Sequence, residues 1–208
     1  MPVVTLATEP ALHAVCDTRR TIRWQVAAWC LFGYLLVLVA WSAPAPDLAE
    51  PSPQPEQQIK AAFLYKFLSY VEWPPGATGA ASSPIVIGVL DADDIADELR
   101  AIVATRRIGQ HPLEVRRVDE RNALDGVNVL FVGAGGADAL SRLAPAAHAK
   151  SVLLVSDFAN GLAAGSVINL VVVDNRVRFE VSLEAAERSG LKLSSRMLAV
   201  AMWVHPTR

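Results

Sequence analysis

The side chains that could do chemistry in this 208-residue chain are few, and their spacing decides what each can do. Gly133, Gly135 and Gly136 in VLFVGAGGADAL stand between a strand-like and a helix-like run. A phosphate cradle needs G-x-G-x-x-G at the first strand–helix turn, where the backbone can close on a pyrophosphate. Here Asp138 takes the last glycine position and the turn is a later one, so the glycines read as a strand-to-helix turn. His111, His148 and His205 stand far apart in sequence, and no H-E-x-x-H occurs, so no helix presents a ready pair of metal ligands. Asp91 to Asp94, DADD, lacks the glycine and distal glutamate of a calcium loop and reads as the start of a helix.

Nucleophilic chemistry fares no better. There is no G-x-S-x-G elbow. Ser156-Asp157 falls at a strand end, where α/β proteins place ligands, but no base is visible beside it. Glu180 and Glu184 flank a strand-to-helix junction, a common place for two carboxylates. With no complete constellation, the chain is expected to be non-enzymatic, with neither cofactor nor metal. Arg106, Arg107, Arg116, Arg117 and Arg121 crowd TRRIGQHPLEVRRVDER, a surface suited to an acidic protein or an anionic ligand. Beyond residue 45, 16 Lys and Arg stand against 19 Asp and Glu, a formal charge of 16 − 19 = −3. That balance gives no pull towards nucleic acid.

Both cysteines, Cys16 and Cys30, precede residue 45, so the remainder has no disulfide, thiolate or cysteine metal site. Arg19, Arg20 and Arg23 lead into the apolar run 24–41, WQVAAWCLFGYLLVLVAW. Positive charge followed by an apolar run is an export pattern, and it keeps the arginines cytoplasmic while the rest goes outward. The run serves either as a signal peptide cut after Ala45, at Ala43-Pro44-Ala45, or as an anchor that keeps residues 24–41 in the membrane. The five prolines of 44–55 mark an extended linker. The organisation is therefore 1–45 export segment, 46–55 linker and 56–204 domain.

Within the domain, EQQIKAAFLYKFLSYVEWPP reads as one amphipathic helix ending near Trp73, before Pro74. Strands follow at SSPIVIGVL, HPLEVRRV, VNVLFVG and SVLLVSD, interleaved with helices at DADDIADELRAIVAT and ADALSRLAPAAHA. SVINLVVVDNRVRFEVS reads as a hairpin turning at Asp174-Asn175, then LEAAERSG as a short helix stopped by Gly190, and SSRMLAVAMWV as a last helix. Apolar strands alternating with helices predict an α/β fold. Its central sheet is mostly parallel, with helices on both faces and a C-terminal antiparallel hairpin at the edge.

IKAAFLYKFLSYVEWP, IVIGVL, VNVLFVG, LLVSD and INLVVVDNRVRFEVSLEAAERSGLKLSSRML together resemble the YfiR family of periplasmic proteins, over about residues 56 to 201. The most specific segments are Glu72-Trp73-Pro74 and the block from Arg178 to Leu198; where the family usually has asparagine, this chain has Ser182. The resemblance implies a small periplasmic α/β regulator without enzymatic activity. The member that names the family restrains an inner-membrane diguanylate cyclase and so lowers cyclic-di-GMP output. It implies as partner such a cyclase or a sensor kinase, and a homodimer, since these proteins tend to dimerise. The family's disulfide-based control does not transfer to a domain without cysteine. On this reading Arg176, Arg178 and Glu180 line one side of a strand whose other side, Val177, Phe179 and Val181, faces inward. With Arg116, Arg117 and Asp157 they are the candidate partner or ligand surface. A rival reading is a periplasmic small-ligand protein using a pocket around Gly133 and Asp157.

Overall fold

The computed structural model describes residues 56–80 and 82–207. The readings of residues 1–55, including cleavage after Ala45, the run 24–41 and the linker, lie outside them. Among the described residues, no helix is long and apolar enough to cross a membrane.

The chain runs α1 (Glu56–Phe67), β1 (Val71–Glu72), β2 (Ile85–Leu90), α2 (Asp93–Val103), β3 (Arg107–Ile108), β4 (His111–Arg117), β5 (Val129–Val132) and α3 (Ala137–Ala149). It continues β6 (Leu153–Ser156), β7 (Ile168–Val173), β8 (Arg176–Ser182), α4 (Leu183–Arg188), β9 (Lys192–Leu193), α5 (Ser195–Leu198) and β10 (Trp203–His205). The main sheet has the order β10-β8-β7-β6-β5-β2-β4-β3. From β4 through β7 every neighbour is parallel, while β7–β8 and β3–β4 are antiparallel. The α/β fold with a mostly parallel sheet is thus as the alternation of apolar strands and helices predicts.

The parallel strands are apolar throughout because both their faces are covered. Ile87, Phe131, Val155, Leu170 and Phe179 face α1 and α2, which contribute Leu64, Phe67, Ile95 and Leu99. Phe63, Phe67 and Phe179 pack as an aromatic trio with ring centroids 5.1–5.9 Å apart. On the opposite face, Val86, Leu130, Val132 and Leu154 meet Leu140, Ala144 and Ala147 of α3. Each such aliphatic side chain contributes about 1.5–3 kcal/mol when fully buried.

Three expectations need correction. The front helix stops at Phe67, and Val71–Glu72 instead pairs with Lys192–Leu193 in a two-stranded sheet. Ser194 N donates to Tyr70 O there, so tertiary pairing claims a segment whose periodicity also suits a helix. The C-terminal helix is only Ser195–Leu198, because Trp203–His205 pairs in parallel with Glu180–Ser182. The hairpin is therefore not the sheet's edge. The aspartates before α2 do not cap it: Ala92 is the N-cap, with no side-chain cap bond. Asp93 and Asp94 remain in the first turn, where a carboxylate complements the helix dipole. The Arg107–Ile108 strand, turning through Gly109 at φ +59° onto β4, is an addition the sequence reading lacks.

Other local signals act as expected. Asp174 (φ 49°) and Asn175 (φ 58°) supply the left-handed pair a two-residue hairpin turn requires. Gly190 (φ 65°) ends α4. Ser182 caps the helix, its Oγ accepting from Ala185 N at 3.2 Å. Ser182→Ala is expected to lower stability by about 1 kcal/mol, whereas Ser182→Asn, which caps equally well, leaves it unchanged. Urea unfolding of the three proteins checks this, and an alanine variant as stable as wild type would refute the cap's contribution.

Candidate functional site

The six surface candidates fall in three separate places. Arg116 and Arg117 end β4, towards the far edge of the sheet, and both are committed to ion pairs. Arg116 Nε donates to Glu114 at 2.6 Å, and this bond holds the Glu114 carboxyl below its usual range. Arg117 bridges Asp93 and Asp97 of α2, each at 2.7 Å. Arg106 lies over the Tyr65 ring at 4.8 Å, and Arg107 donates to Gln110 O. Arg106 and Arg117 thus tie this edge of the sheet to α1 and α2, while Arg107 and Arg116 pair within the β3–β4 hairpin.

Asp157 lines a depression but is largely enclosed. Its side chain is 12% exposed and accepts at Oδ2 from Lys60 Nζ at 2.8 Å. Lys60 projects from α1 and also meets Glu56 at 2.6 Å. Burial alone would lower the pKa of Lys60, but hydrogen bonds to Asp157 and Glu56, with the charges of both, raise it above the ordinary lysine value. A depression of about 310 Å³ lies at these strand ends, lined by Gln57, Lys60, Asp91, Asp94, Gly133 and Asp157. Lys60 is not legible in the sequence, because a lysine inside an amphipathic helix looks like a solvated residue; only the Asp157 contact across 97 residues reveals it. The neighbouring Ser156 is fully buried, its Oγ 2.8 Å from both Ser166 Oγ and Asn169 Oδ1. A hydroxyl so enclosed holds β6 to β7 and its loop and is not presented to a substrate.

Arg176, Arg178 and Glu180 do come together. They alternate on β8 with buried Val177, Phe179 and Val181, as predicted. The register puts Val173 beside Arg176, Val171 beside Arg178, Asn169 beside Glu180, and Trp203 of β10 on the far side of Glu180. These residues share one sheet face, opposite the aromatic trio. Helix α3 covers that face over β2, β5 and β6. Over β7 the loop after Phe158 takes its place, with Gly161 pressed so closely on Ser156 and Asn169 that a Cβ would lie 2.1 Å from Ser156 Oγ. Beyond that loop no described residue covers the face. A groove of about 650 Å³ runs between loop and strands, lined by Leu162, Val171, Glu180, Ser182, Glu184 and His205. Trp203 is 62% exposed. Glu184 is held by Arg188 at 2.9 Å, while Arg176, Arg178 and Glu180 make no ion pair among the described residues. An open sheet face that mixes valine and tryptophan with unpaired charges is suited to contact with another macromolecule.

A family model described as YfiR/HmsC-like matches residues 57–202, nearly all of the described fold. The chain belongs to the YfiR/HmsC-like family. Among solved structures, a conserved domain protein from Vibrio cholerae O1 biovar El Tor is similar with a TM-score of 0.50 and 12% identity, over 72% of this chain and 60% of that one. At that identity the likeness is one of fold alone, and this chain spans only about 60% of the Vibrio protein. An ABC domain from Streptococcus pneumonia, solved with L-Trp, matches with a TM-score of 0.46 and 11% identity, over 58% of this chain and 55% of that one.

Proposed function

We propose that this protein is a non-enzymatic periplasmic regulator that binds and restrains an inner-membrane signalling protein, in the first instance a diguanylate cyclase, and so limits cyclic-di-GMP output. Membership of the YfiR/HmsC-like family over residues 57–202 carries the proposal; it supports a periplasmic regulatory role in general. The open face of β7, β8 and β10 supports the finer reading, because it offers a protein partner apolar area and unpaired charge together. The burial of Ser156 and the ion-paired state of Asp157 fit a framework role for the two residues best placed for catalysis.

The test is a pull-down from membranes with tagged full-length chain under gentle cross-linking, with N-terminal sequencing of the recovered protein. Recovery of a membrane cyclase is expected, and the new N-terminus distinguishes a chain cut after Ala45 from one tethered by residues 24–41. Tethering would raise the effective concentration at a membrane partner. No membrane partner, together with a metabolite that raises the melting temperature, would replace this proposal with the ligand-binding reading.

A further inference from the structure

The open sheet face also limits what can sit on it. In this architecture a parallel sheet is sandwiched between helices. One layer, α1 and α2, is in place; among the described residues the other ends at α3, leaving β7, β8 and β10 without a helix on their second face. The floor so left is a strip along β8, a seven-residue strand. At about 3.3 Å per residue the strip is roughly 23 Å long, the length of a helix of about 15 residues. The 13-residue α3, which covers the adjoining strands, is a comparable cover. Val171 and Val173 of β7 give the strip one apolar margin and Trp203 of β10 the other, across Arg176, Arg178 and Glu180 of β8, none of which makes an ion pair among the described residues.

We infer that the open face of β7, β8 and β10 is the seat of an amphipathic helix from the partner, which crosses β8 with apolar side chains against Val171 and Val173 on one margin and Trp203 on the other, and with carboxylates on Arg176 and Arg178. The inference rests on the regulator reading for the partner's identity, and on the sheet alone for its chemistry. The helix completes the missing half of the second layer, so its docking buries apolar area and neutralises two cations at once. Two arginines stand on the strip against one carboxylate, Glu180, so an acidic helix is preferred over a basic one, and binding weakens with salt.

The probe is a dye-labelled 15-residue peptide with leucines at helical three- and four-residue spacing and glutamates on the flanks, alongside its lysine counterpart. Binding to the full chain is followed by anisotropy. The glutamate peptide should bind and the lysine peptide should not. Arg176→Glu/Arg178→Glu should weaken the glutamate peptide by about tenfold, with the preference between peptides reversed. Trp203→Ala, at an exposed position with little to lose in folding, should weaken it by about tenfold or more. Equal binding of both peptides, binding of neither, or indifference to these variants would overturn the inference. So would a monomer–dimer equilibrium, seen by sedimentation, that the arginine pair abolishes, since the occupant would then be a second copy. The membrane pull-down separates this outcome from the broader reading. If wild type and Arg176→Glu/Arg178→Glu recover the same cyclase equally, the regulator stands and this seat falls. If the glutamate peptide binds as expected but no membrane partner is recovered, the seat stands and the regulator falls.

Discussion

Asp157→Ala is expected to cost about 3 kcal/mol of folding stability, the lower end of what breaking a buried ion pair costs. The substitution leaves the Lys60 ammonium, 10% exposed at its side chain, with only the half-exposed Glu56 for company. Lys60→Met removes the opposite partner and strands both carboxylate oxygens, Oδ1 of Asp157 already lacking a hydrogen-bond partner. It should cost at least as much. The double variant Lys60→Met/Asp157→Leu, with neither charge buried, should regain most of the loss. The pair also sets an alkaline limit. Lys60 is raised in the folded state, so its contribution is fully present below about pH 10.4, the ordinary lysine value, and is lost as pH rises through the folded one. Urea unfolding at pH 7 and well above about pH 10.4 reads both effects: wild type should lose stability on the alkaline side more steeply than Lys60→Met. An Asp157→Ala protein as stable as wild type would show that the pair does not hold α1 to the end of β6.

The location of this pair shows where sequence reasoning stops. Local signals were legible because each acts within a few residues. The apolar strands, the helix of ADALSRLAPAAHA, the left-handed Asp174-Asn175 turn and the Ser182 cap all lie where their chemistry puts them. The misreadings lie where a distant strand competes for the backbone. Val71–Glu72 and Trp203–His205 each continue a helix-compatible pattern, and each is drawn into a sheet by a partner over a hundred or over twenty residues away in sequence. The candidate site divides in the same way. The alternation along β8 placed Arg176, Arg178 and Glu180 on one face. Whether anything covered that face depends on how far α3 reaches across the sheet, which no stretch of β8 encodes. Arg117 looks free in sequence, because Asp93 and Asp97 become its partners only once β4 lies against α2, whereas Arg116 pairs with Glu114 two residues away on its own strand.

The glycines of GAGG allow a sharper test, because the structure gives neighbouring members different roles. Strand β2 has β4 on one side and β5 on the other, so the loops leaving β2 and β5 meet at the point where the chain changes direction across the sheet. Gly133 N donates to Leu90 O there at 2.9 Å. A Cβ on Gly133 would lie 2.2 Å from the carbonyl oxygen of Asp91, a residue itself held in left-handed backbone at φ 52°. The neighbour is backbone at the end of a buried strand, so it cannot swing aside as a side chain would. Gly133→Ala should therefore cost about 3 kcal/mol, the upper end for forced overpacking. Gly135, two residues on, meets nothing closer than the Asp91 Cβ at 3.4 Å, an ordinary contact. Gly135→Ala should be neutral or stabilising by up to about 1 kcal/mol, through the smaller entropy of the unfolded chain. The contrast between the two alanines, measured by urea unfolding, is the informative quantity. A glycine kept for backbone-to-backbone packing predicts the large difference even with no ligand present. Equal stabilities would mean that the β2 and β5 loops are not packed together as described, and would reopen the question of what Gly133 is for.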